Sequence, residues 1–170
     1  MRPGIRRLAL TVHVVTSVCW MGAVAAFLAL AVAGLSSQDA QLVRAVYISM
    51  DLVIWYVIVP LALASLLSGV VSSLGTAWGL FRYYWVVVKL LITPFATLIL
   101  LVHTQPIGLL AGVAKKAVLF PAEHHSSQVL MVVASGAALL VLLALTALSI
   151  YKPRGMTAYG WRKRRAESQP

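Results

Sequence analysis

Acidic residues are almost missing from this chain: Asp39, Asp51, Glu123 and Glu167 are the only four in 170 positions. Cysteine is rarer still, with Cys19 alone. One cysteine excludes an intrachain disulfide and any cysteine-based metal motif. No paired-carboxylate arrangement, phosphate-binding glycine loop or Ser/His/Asp order is present. Charged residues make up only 11%, hydrophobic residues 61%, and the mean hydropathy is +0.92. A soluble domain of this length needs more polar surface to cover its core, so the balance specifies an integral membrane protein.

What is abundant is apolar sequence in long runs. A bilayer core takes about 20 helical residues to cross, and four segments qualify: 8–35, 49–74, 83–103 and 128–151. The first begins after "RPGIRR" and ends in "AVAGLSSQ", as a signal peptide does. Its apolar run of 28 residues is too long for a cleaved signal, whose apolar region spans about 7–15. The expected architecture is an all-α integral membrane protein, a four-transmembrane-helix antiparallel bundle. It forms a single membrane domain, 1–170, ending in a basic tail, 152–170. Helices one and two are joined by a loop over 36–48, and helices two and three by a loop over 75–82. The long third loop, about 104–127, is semi-apolar enough to hold a short surface helix.

The net charge of +10 does not indicate nucleic acid, because the cations flank the apolar runs. Arg2, Arg6, Arg7, Arg82, Lys152, Arg154, Arg162, Lys163, Arg164 and Arg165 fall on one side of the membrane. Arg44, Lys115 and Lys116 fall on the other. This asymmetry predicts both termini in the cytoplasm of a multi-pass membrane protein. The partners it implies are the lipid bilayer, and anionic lipid at the basic "WRKRR" tail. A redox partner or quinone and a homo-oligomer are compatible with it.

An ionisable group inside a spanning helix costs a few kcal/mol and marks a functional candidate. There are four: His13, Asp51, Lys89 and His103. At 1.5 Å rise per residue, the topology sorts them into an inner pair, His13 with Lys89, and an outer pair, Asp51 with His103. His103 lies roughly 20 Å from the inner layer by rise alone. His13, Thr16, Ser17 and Trp20 share one face of helix one; Lys89, Thr93, Thr97 and His103 share a stripe of helix three. Pro94 can kink helix three beside that stripe. "ASGAA" at 134–138 suits close helix packing. A polar seam between helices one and three is expected, with helix four mainly packing. A neutral His13 suits axial ligation of haem iron, and Lys89 suits either a propionate partner or a second ligand. The plainer alternatives are that His13 tethers a neighbouring helix, Lys89 snorkels to the interface, and Asp51 caps helix two. Trp20 can equally be packing or interface belt. Glu123, His124 and His125 form an outer cluster that could hold a transition metal, but their spacing matches no strong motif.

The stretch "LTVHVVTSVCWMGAVAAFLAL" resembles the first-helix signature of small four-helix bacterial membrane proteins. That group includes the CopD copper-resistance domain and the HemJ-type protoporphyrinogen oxidases. "YYWVVVKLLITPFATLILLVH" resembles their third helix. The resemblance implies haem b binding at His13 and Lys89. It does not extend to porphyrinogen oxidation, because the chain continues "LALAVAGLSS" where HemJ-type oxidases carry an "LPR…YH"-like segment. The CopD comparison implies copper, yet Met21, Met50 and Met131 form no ladder.

The expected function is a haem b-binding membrane protein in electron transfer or haem handling. Cofactor contacts are expected from His13, Lys89, Ser17, Trp20 and Thr93. One alternative is a copper or other metal-handling accessory using the outer-face His103, Asp51, Glu123, His124 and His125, the candidate metal ligands across both layers being His13, His103 and Asp51. Another is a non-catalytic scaffold subunit.

Overall fold

The computed structural model describes residues 3–74, 81–116, 125–151 and 155–167. These residues are almost wholly helical. Helix α1 runs Pro3–Ser36 and α2 runs Ala40–Val53. A π-helical turn over Ile54–Ile58 leads into α3, Val59–Leu74. Then follow α4, Tyr84–Lys116, α5, His125–Tyr151, and a short α6, Ala158–Glu167. Among the described residues the only β pairing is an isolated bridge between Tyr83 and Met156. Four helical stretches, Pro3–Ser36, Ala40–Leu74, Tyr84–Ala114 and His125–Tyr151, are long and apolar enough to cross a membrane. The surface is correspondingly greasy, with Leu67, Leu91, Leu109 and Leu140 each more than 60% exposed. Such residues meet lipid at no cost.

The helices are longer than the apolar runs suggested. The connection between α1 and α2 is only residues 37–39, where a loop over 36–48 was expected. Asp39 ends it: its Oδ1 accepts from the Gln41 amide at 2.9 Å, capping α2. Asp51 therefore caps nothing. It sits half-buried inside the helix, about three turns beyond its start. Likewise α4 does not stop near His103 but continues to Lys116, absorbing half of the expected third loop. The reason is packing. Val43, Val46, Tyr47 and Met50 give α2 a buried apolar face. The extension of α4 covers it with Ile107, Leu110, Ala111 and Ala114, all 2% exposed or less.

The π turn has a local cause. Pro60 lacks an amide hydrogen and its ring would strike the carbonyl one turn back. Widening the preceding turn relieves this, and the Val59 amide bonds five residues back to Ile54 O.

Helix α1 is the central element. It packs along α3 and α5 and, at its C-terminal end, on α2; α4 packs chiefly on α2 and only sparsely on α5. The buried stripe of α1 is Trp20, Val24, Phe27, Ala31 and Gly34. Its alternating steps of four and three form a coiled-coil seam. Gly34 lets α2 approach: a Cβ there would lie 3.1 Å from the Tyr47 ring and from Val46 Cγ1. We predict that Gly34→Leu destabilises the bundle by about 1–3 kcal/mol through overpacking, read by denaturant titration in micelles. Asp39→Ala should cost about 1 kcal/mol through the lost cap in the same assay.

Candidate functional site

Following the α1 seam back toward the N-terminus, the apolar stripe gives way to Ser17 and then His13. Across from them, α3 presents Ser65, Ser68, Gly69 and Ser72, again spaced three or four apart. The two stripes are hydrogen-bonded together. His13 Nδ1 lies 3.1 Å from Ser65 O and 3.4 Å from Ser68 Oγ. Ser17 Oγ and Ser65 Oγ are 2.7 Å apart, and Thr16 Oγ1 lies 3.4 Å from Ser68 Oγ. Gly69 makes room for the ring: a Cβ there would sit 2.9 Å from His13 Cε1. The imidazole is thus laid against bare backbone of α3.

A carbonyl only accepts, so His13 Nδ1 is the donor toward Ser65 O. In the neutral ring that places the proton on Nδ1 and the lone pair on Nε2. Among the described residues Nε2 has no hydrogen-bond partner. A backbone carbonyl holding one ring nitrogen while the other faces a metal is the usual support for a ligating histidine. Among the described residues the Trp20 indole Nε1 and the Ser72 hydroxyl also lack partners, on residues only 5% and 9% exposed.

The second ionisable group of the layer comes from a different helix. Lys89 on α4 donates from Nζ to Ser149 Oγ of α5 at 2.6 Å, and Ser149 in turn donates to Leu145 O at 2.7 Å. The Lys89 Nζ lies 6.0 Å from the centroid of the Trp85 ring, at the outer limit of a cation–π contact. The Lys89 and His13 side chains are not hydrogen-bonded to each other. Thr93 and Thr97 continue the α4 stripe, Thr93 half-buried and Thr97 buried. Thr97 returns its hydroxyl to Thr93 O at 2.9 Å.

The seam expected between helices one and three therefore runs elsewhere. Its hydrogen bonds join the first helix to the second span, and Lys89 is tied to the fourth, which does more than pack. The reason is helix adjacency: α1 touches α3 and α5 extensively, whereas α4 leans on α2. Ser65, Ser68, Gly69, Ser72 and Ser149 were not singled out from the sequence. The "SLLSGVVSS" stretch did carry a signal, since its small and polar residues repeat with helical period on one face.

At the opposite end, Asp51 is half-buried in the helix, while Glu123, His124 and the side chain of His103 lie outside the described residues. His125 is exposed at the start of α5. Among the described residues no three His, Cys, Asp or Glu side chains come together as a metal-binding group. Comparison with known proteins finds no match among family models, curated proteins or solved structures.

Interhelical hydrogen bonds in membranes contribute on average about 0.6 kcal/mol. Ser65→Ala, which removes the Ser17 partner but keeps the carbonyl under His13, should cost about that much. Gly69→Val, which drives a side chain into the imidazole, should cost about 1–3 kcal/mol. Unfolding of both variants in the same micelles checks the ordering.

Proposed function

We propose that this polar layer binds haem b, which His13 would hold through Nε2, and that the protein acts in electron transfer or haem handling. The observation that carries the reading is the His13 Nδ1–Ser65 O hydrogen bond, which orients the ring and leaves the Nε2 lone pair to a metal. The donor set fits a haem: one neutral imidazole, one ammonium, and buried hydroxyl and indole donors in an otherwise apolar bundle. Haem bound there would supply one-electron chemistry through its iron.

The roles of the chain's own groups follow from their chemistry. Ser65 and Gly69 hold the imidazole: the carbonyl fixes its tautomer and the missing Cβ admits it. Ser17 secures Ser65, and with it the α1–α3 contact under the ring. Lys89, kept in place by Ser149, offers positive charge to a propionate. Trp20 closes the layer toward the apolar core, and Thr93 lines the α4 side. The resemblance to the HemJ-type proteins points the same way for His13 and Lys89. A redox partner or a quinone would be the exchange partner for electrons. The excess of cations at the end that holds the termini supports placing both termini in the cytoplasm, and the resemblance to small bacterial membrane proteins supports a bacterial inner membrane. A C-terminal fluorescent-protein fusion should then fluoresce, and a C-terminal alkaline phosphatase fusion should be inactive.

Protein purified with haem supplementation should show a Soret band, and His13→Ala should abolish it. Lys89→Met should retain the band but weaken haem affinity by about tenfold or more, the worth of a hydrogen bond to a charged group. The same contacts favour a second reading, in which His13 is only a tether in a scaffold subunit. A wild-type protein with no Soret band, and a His13→Ala variant that loses only stability, decide for the tether.

A further inference from the structure

The C-terminal helix α6 is bolted to the membrane-spanning bundle. Residues 155–157 lie beside residues 81–84, at the start of α4. The Tyr84 amide donates to Gly155 O at 3.3 Å, and the Thr157 amide donates to Arg82 O at 3.1 Å. The Thr157 hydroxyl donates to Phe81 O. Thr157 also begins α6: its Oγ1 accepts from the Gly160 amide at 3.0 Å, and its carbonyl accepts from the Trp161 amide at 3.0 Å. Gly160 is buried against this loop, and a Cβ there would collide with Arg82 O. No other residue type fits this contact as it stands.

The helix held by this clamp is cationic all round. Arg162, Lys163, Arg164 and Arg165 are consecutive, exposed, and sweep a full turn. Arg6 and Arg7 are exposed near the start of α1, at the same end of the bundle by helix count. Tyr159 and Trp161 are 57% and 54% exposed beside the cations. With charge on every side, α6 has no apolar face with which to lie in the acyl region. The hydrogen-bonded clamp, not amphipathicity, sets its position where the spanning helices end.

We infer that α6, clamped through Thr157 and Gly160 to residues 81–84, is a binding element for anionic phospholipid headgroups in the adjoining leaflet. Charge complementarity selects the partner. Four clustered cations at the level of the bundle end meet phosphate headgroups, and exposed aromatic rings beside them suit the interface. Without the clamp the same cations would be a loose tail.

Hydrogen–deuterium exchange of α6 tests this in nanodiscs of phosphatidylcholine, with or without phosphatidylglycerol. In the wild-type protein, α6 amides should exchange at least about tenfold more slowly in the anionic discs, a shift of about 1.4 kcal/mol that four surface cations are sufficient to supply. High salt should erase the difference. The Arg162→Gln, Lys163→Gln, Arg164→Gln, Arg165→Gln variant should lose the lipid response but keep its protection in neutral discs. Gly160→Val should lose protection in neutral discs. Equal wild-type exchange in both lipids overturns the lipid assignment, as does protection by a DNA oligonucleotide in neutral discs. Gly160→Val exchange equal to wild type overturns the clamp.

Discussion

The structure turns on one close approach, that of α1 to α3 around the His13 ring. In a lipid environment a ring nitrogen has no water to turn to, so a polar group must find its partner on a neighbouring helix. The Ser65 carbonyl provides it, Gly69 provides the space, and Ser17 with Ser65 closes the adjacent gap. These contacts set how closely α1 and α3 run. They also set the orientation of the one imidazole that the described layer contains.

The bundle is divided along its length. In one half the seam is apolar and tight, with Ala31, Tyr47, Met50 and Ile54 at 2% exposure or less. In the other half, His13, the serines of α3 and Lys89 replace that core with polar groups. Such a division costs stability where the polar groups lie, and the apolar half compensates through the lengthened α2 and α4. The π turn before Pro60 lies between the two regimes on the second span.

Much of this architecture was legible from hydropathy alone, because a run of apolar residues near bilayer length leaves the backbone little choice but helix. The boundaries were not legible. Expected loop residues such as "AQLVRAVYIS" and "TQPIGLLAGVAKK" are too polar to read as membrane spans, yet they are helical because α2 and α4 bury apolar faces against each other. His13 stood out because an ionisable group in an apolar run is conspicuous. Its supports did not, because serine and glycine are commonplace in spanning helices and gain meaning only from what faces them.

The sequence by itself determined the class of molecule, the number of apolar spans, and that His13 and Lys89 are the unusual groups near one end. Composition and period decide those things, since lipid solvation acts on each helix separately. Only the tertiary structure decided that His13 meets Ser65 and Gly69, that Lys89 meets Ser149, and that Gly160 rests on Arg82. Those pairings depend on which helices are neighbours. The neighbours follow from the packing of whole apolar faces, a sum over many residues in which no single residue declares its partner.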